Sequence, residues 1–204
     1  MRYFYTKNQS TATDCSANLI FICFMQAINF RNFKKRFEEK RKSLRRFITR
    51  TENNPPHNLE ALAGGIDNEV WAQINCLGCA NCCKAMSPTY TFRDIKRIAA
   101  HLGMRPKDFR EKWLYLDKKE NDWMNRSLPC QFLDLKSNMC SIYEVRPADC
   151  AGFPHLVKKP ITDYMYIHKQ NIEYCPATLL FVEKLNEAIN GWLLIIEFLH
   201  TMKW

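Results

Sequence analysis

Four cysteines fall within eight residues, Cys76-Leu-Gly-Cys79-Ala-Asn-Cys82-Cys83. A two-residue spacer lets the backbone curl around an ion, and two such steps in a row turn three thiols toward one point. A buried cysteine can also pack as a small hydrophobe. Packing accounts for one or two cysteines, but not for four in eight residues, so this spacing predicts metal binding. Cys130, Cys140, Cys150 and Cys175 follow, separated by nine, nine and twenty-four residues. Eight thiols suit two four-thiolate sites, or one cluster with spare thiols. Cys82 and Cys83 are neighbours whose side chains point in different directions. They therefore serve two sites, or one of them is a spectator. His155 and His168 lie near the distal cysteines and could substitute as ligands, but each is read as a structural imidazole.

Cys15 and Cys23 complete the ten cysteines and stand apart from this pattern. A secreted disulfide scaffold would explain many cysteines but would follow a cleavable leader. Arg2 and Lys7 precede an apolar run, Leu19 to Met25, but Asp14 interrupts the approach and no small-x-small site follows. The run is also shorter than the ~20 apolar residues of a membrane helix. The expectation is a cytoplasmic protein with reduced thiols. Cys-x-x-Cys-x-x-Cys opens the cluster sites of bacterial ferredoxins, and Cys175-Pro176 matches their closing dipeptide. Zinc sites more often use two separated Cys-x-x-Cys pairs. The spacing thus favours an iron–sulfur cluster on Cys76, Cys79 and Cys82 with Cys175 or Cys150. Cys83, Cys130 and Cys140 would then hold a second site or pack nearby. Zn²⁺ is the rival cofactor.

The fold expected is mostly α, with irregular cysteine-rich loops and a small β-hairpin, in a metal-stabilised single domain. Of the 204 residues, 47% are apolar, enough for a sizeable core. Residues 1–27 read as a disordered or mis-assigned extension, with Met25 a candidate start. Residues 28–51 read as a basic amphipathic helix carrying Phe30, Phe33, Phe37, Leu44, Phe47 and Ile48. Residues 1–50 hold 12 Lys/Arg against 3 Asp/Glu, whereas residues 51–204 hold 18 of each. The net charge of +9 therefore belongs to the first quarter of the chain. Residues 52–66, with Asn53-Asn54-Pro55-Pro56 and Gly64-Gly65, read as a linker, and residues 67–204 as the cysteine-cluster domain. Within it, a short helix is expected over 67–75. Thr91 and Asp94 predict the start of a helix that ends at Gly103 and buries Phe92, Ile95, Ile98, Ala99 and Leu102. Pro106 predicts another helix, Gln131 to Ile142 a hairpin, Pro147 a helical turn and Pro176 a long helix.

The order Cys76-x-x-Cys79-x-x-Cys82-Cys83, Cys130, then Cys140-Ser-Ile-Tyr143-Glu-Val-Arg146-Pro147-Ala-Asp-Cys150-Ala-Gly-Phe153-Pro154 resembles the bacterial zinc- or iron-chelating cysteine-cluster family (YkgJ-like) over residues 74–178. The resemblance implies cysteine ligation of zinc or iron and a small, mostly helical fold. A related cysteine domain in flagellin lysine methylase implies an iron–sulfur and an enzymatic alternative. Ala80 stands where the family usually has Gly, and Ala151 where it often has a basic residue. Tyr143, Arg146 and Asp149 flank the candidate ligands; Arg146 could tune cluster charge or hold an anion, or simply begin a short helix.

Three functions compete. The first is a cysteine-ligated metal protein in which the metal organises the fold or handles metal or electrons. The second is a metal-dependent enzyme. The third is an adaptor that meets nucleic acid, membrane or a protein partner through the basic helix. For the enzyme, none of the six glycines forms a dinucleotide or phosphate loop, and the Cys-x-x-x-Cys-x-x-Cys spacing is absent.

Overall fold

The computed structural model describes residues 28–201, with side chains through Gly191. Cys15, Cys23 and the extension expected over 1–27 lie outside the described residues. The chain splits its apolar side chains between two cores, one helical and one built around a small sheet.

The first core begins with α1 (Phe30–Asn53). Asn29 caps it by accepting from the N–H of Asn32 at 3.1 Å, and Pro55-Pro56 prevents its continuation. Its Phe33, Phe37, Leu44, Phe47 and Ile48 are buried, while its lysines and arginines face outward. The second helix, α2 (Leu59–Gln73), runs through much of the segment expected to be a linker. Leu59, Ala63, Ile66 and Val70 recur at helical spacing and are buried, so packing outweighs the low helix propensity of Gly64-Gly65. Near the C-terminus, α8 (Met165–Asn171) and α9 (Pro176–Thr201) close this core with Met165, Ile172, Leu179, Phe181, Val182 and Leu185. Each fully buried side chain of this kind contributes on the order of 1.5–3 kcal/mol. Glu183 of α9 is also buried and meets Arg36 and, at 2.9 Å, Lys40, which pins the basic helix to the body. No helix among the described residues is long and apolar enough to cross a membrane.

Between these helices lies the cysteine-bearing part. Two single-turn helices, α3 (Cys76–Cys79) and α4 (Asn81–Ala85), carry the first four cysteines. Strand β1 (Thr89–Tyr90) leads into α5 (Phe92–His101) and α6 (Pro106–Trp113), β2 (Leu114–Asp117) and β3 (Asp122–Asn125) form a hairpin, and the single turn α7 (Ala148–Gly152) carries Cys150. The sheet order is β1-β3-β2, antiparallel throughout, with Tyr90 opposite Trp123 and Leu114 opposite Asn125. Thr91 and Asp94 form a reciprocal capping box at the start of α5, and Gly103 takes the left-handed φ of +65° after its end. Phe109 stacks on Phe132 at 6.1 Å in the second core, beside Tyr90, Ile95, Ile98 and Ile142.

The small β element falls elsewhere than the sequence suggests. Residues 131–142 make only an isolated bridge, Leu133 to Cys140, and the hairpin is Leu114–Asn125. In the first segment Asn138 turns the chain at φ +56°, but the flanks bend away to deliver cysteines and do not extend into strands. Phe92, expected inside, is 65% exposed. A first-turn side chain points back over the helix N-terminus, here beyond the packed body.

Candidate metal centre

Asn75 begins the cysteine loop by accepting from the N–H of Gly78 at 3.2 Å, which winds Cys76–Cys79 into one turn. Ala80 then adopts φ +49° and reverses the chain into α4. The sequence places Ala here, and the left-handed bend forms all the same, at the small strain such a residue carries. Asn81 donates its amide to the carbonyl of Tyr174 at 2.6 Å. That bond holds the loop against the turn before Cys175.

As a result Cys76, Cys79, Cys82 and Cys175 line one cavity of about 20 Å³, walled by Trp71, Ile74, Phe153 and Pro176. A space of this size admits one water-sized or ion-sized occupant. Cys76 keeps an exposed edge, but desolvation by the atoms packed around its sulfur pushes the thiol up to about 12, helped by neighbouring Cys175, Cys79 and Cys83 and opposed by Arg146. Burial likewise raises Cys79 and Cys175. Cys175 sits at the N-terminus of α9, where the side chain and N–H of Thr178 and the N–H of Ala177 pull back toward the thiolate. This explains the Cys-Pro pair, since Pro176 occupies a helix position whose N–H has no intrahelical partner.

The remaining four thiols gather on the other side. The N–H of Cys130 donates to the carbonyl of Cys83 at 2.8 Å, and Cys140 is held by the bridge to Leu133. Burial raises Cys150, followed by the influence of Cys83, Asp149, Cys130 and Cys140. Burial also raises Cys130, which feels Cys83 and Cys140 in turn. The two groups meet where Cys82 Sγ and Cys83 Sγ lie 3.9 Å apart. A hydrogen bond between them holds Cys82 up and draws Cys83 down to about 7. Among the described residues no three His, Cys, Asp or Glu side chains stand already arranged to hold an ion. The thiols are grouped, but not closed on a point.

Around them stand two residues that the sequence reading does not single out, Thr178 and Asn125, together with several that it does. Thr178 Oγ1 and Asn125 Nδ2 are buried donors without a hydrogen-bond partner, and each favours the thiolate of a nearby cysteine, Cys175 and Cys130 respectively. Asn125 Oδ1 accepts from Tyr90 and Gln131 at 2.6 and 2.9 Å, which fixes its amide. Arg146 stacks on Tyr143 at 3.8 Å and bonds its carbonyl. Its charge lowers both Cys76 and Cys140, one thiol from each group. Asp149 accepts from the N–H of Thr89 at 3.0 Å and faces His155 at 3.5 Å. Gly152 is needed here, because a Cβ would come within 2.8 Å of the His155 ring. His168 is fully buried against Phe181, with both ring nitrogens unpartnered, and burial lowers it to about 4.

Eight soft thiols, Cys79 buried, Cys76 exposed and the others half-buried, with positive charge nearby, suit a thiophilic ion such as zinc or iron. Comparison with known proteins agrees. Residues 75–176 match the family model CxxCxxCC, described as "Putative zinc- or iron-chelating domain". The uncharacterized protein MJ0661 of Methanocaldococcus jannaschii is 31% identical over 85 residues, 41% of this chain and 46% of that protein. The chain thus spans about half the length of this relative. No solved structure matches. With half of its residues inside the family model, and both cysteine groups within that half, the chain belongs to the CxxCxxCC family of zinc- or iron-chelating domains.

Proposed function

We propose that this protein is a metal-binding module with two four-cysteine sites, one formed by Cys76, Cys79, Cys82 and Cys175, the other by Cys83, Cys130, Cys140 and Cys150. The carrying observation is that Cys76, Cys79, Cys82 and Cys175 line one cavity, while Cys83, next to Cys82, lies near Cys130, Cys140 and Cys150. The occupants are single zinc or iron ions. Spacing favours an iron–sulfur cluster, whereas eight thiols taken four and four would give each of two single ions a complete tetrahedral set. A tetrathiolate ion supplies crosslinks and, for iron, a one-electron couple. Arg146 and Lys84 would balance the charge of the thiolates, since both favour the ionised form of nearby cysteines. Thr178 and Asn125 would donate to ligand sulfur, which orients ligands and tunes the ion.

Protein purified without oxygen should contain two equivalents of zinc or iron and no acid-labile sulfide. Sulfide in stoichiometric amount, with brown colour bleached by a reductant, would replace this reading with a cluster. One equivalent of metal, unaffected by Cys83→Ser or Cys150→Ser, would remove the second site.

A further inference from the structure

The basic charge of α1 is not spread evenly around its surface. At its C-terminal end Arg45, Arg46, Thr49 and Arg50, with Lys169 of α8, line an open groove of about 470 Å³ whose rim is Asn53 and Asn54. No carboxylate lines it. Among the described residues only Arg45 of these four cations reaches a carboxylate, Glu173 at 3.4 Å, while Arg45 Nε is buried without an acceptor. Lys169 Nζ donates to Thr49 Oγ1 at 2.7 Å, so the two walls are tied together. A helix dipole explains cations in the last turn, such as Arg50, but not those a turn earlier. Lys42, Arg46 and Arg50 follow one another at i, i+4, an arrangement that disfavours the free helix. An anion in the groove would offset that repulsion.

We propose that this groove binds the phosphoryl groups of a small phosphorylated ligand. The groove is shallow and open, so it suits a ligand gripped by its phosphoryl groups and not one enclosed by apolar walls. Guanidinium groups hold phosphate oxygens in pairs, and the side-chain amides of Asn53 and Asn54 stand beside them as neutral donors.

The test uses the metal-loaded full chain and a soluble sugar bisphosphate, with metal content checked before and after titration. Binding should be saturable at one per chain and should weaken at least tenfold in Arg46→Gln/Arg50→Gln. Arg31→Gln/Lys34→Gln removes the same charge from the far end of α1 and should change affinity less than twofold. Asn54→Asp places a carboxylate at the rim without touching an arginine and should also weaken binding severalfold. Vesicles containing phosphatidylinositol bisphosphate identify the source. Groove-dependent capture that the sugar bisphosphate displaces assigns a lipid headgroup, and no capture assigns a free ligand. Equal losses in both double variants, or no binding by the parent protein, would overturn the proposal. So would duplex DNA bound through the groove and not displaced by the bisphosphate.

Discussion

The two cores differ in what they are made of. Among the described residues, the helical core draws on eighteen buried side chains, many of them Leu, Ile and Phe, from four helices and the segments that connect them. The cysteine-side core has eight, from short elements separated by turns. The first can hold itself by apolar burial. The second has less core for the length of loop it orders, and under the proposed function ions held by the grouped thiols would supply the difference. On this reading metal replaces core, and the two halves should respond differently to the same insults.

Stripping the metal should give the largest effect. Apparent binding energies of structural zinc reach ~10–16 kcal/mol, and that energy is folding energy. Chelation, or Cys79→Ser or Cys150→Ser, should abolish hydrogen-exchange protection in residues 76–150 while α1 and α2 stay protected. Uniform loss across both halves would erase the distinction.

Cavities should sharpen it. Phe109 and Phe181 are each fully buried, one in each core. Truncation of either to Ala should cost about 3–5 kcal/mol. In metal-loaded protein Phe181→Ala should lower the global melting transition, whereas Phe109→Ala should first appear as weaker metal retention.

A third measurement concerns acid. Burial keeps His168 neutral, lowering it from 6.5 to about 4. The unfolded chain therefore binds a proton that the folded chain refuses. Helical-core stability should fall as pH drops from about 6.5 toward 4, by at most about 3 kcal/mol. His168→Gln should flatten the difference between denaturation curves taken at pH 7.5 and 5.5. An unchanged slope would mean that His168 gains its proton when folded.

Smaller effects belong to the joints. Asp94 accepts from Thr91, from the N–H of Ala148 at 3.1 Å and from Arg97 at 2.7 Å. Burial alone would raise its carboxyl, but these bonds outweigh it and hold it below 3.8. Asp94→Asn should cost about 1–2 kcal/mol at pH 7 by thermal denaturation. Ala80→Gly should go the other way, gaining up to about 1 kcal/mol by relieving the positive φ. A loss there would mean that the bend is not strained.

Local signals were legible. The Thr91 cap, the proline helix starts and the apolar stripe of α1 are written in a few neighbouring residues each, and the structure places them there. What could not be read was set by distance. The spacing leaves Cys150 and Cys175 as equal candidates to join Cys76, Cys79 and Cys82; that Cys175 shares their cavity depends on Asn81 meeting Tyr174 across the fold. Gly64-Gly65 looked like a break because nothing nearby revealed that Ala63 and Ile66 face a core built by α9. Thr178 and Asn125 carry no motif and become visible only where buried donors lack acceptors.

Cys82 and Cys83 are joined by one peptide unit, and each belongs to a different group of thiols. A rotation that brings one sulfur toward its partners swings the other by a related angle, so the two sites proposed above would share a lever. Their occupancies would then be coupled through one stretch of backbone. An ion in one site would set the geometry met by an ion in the other, and metal titration followed by native mass spectrometry would read that coupling in the fraction of half-loaded molecules.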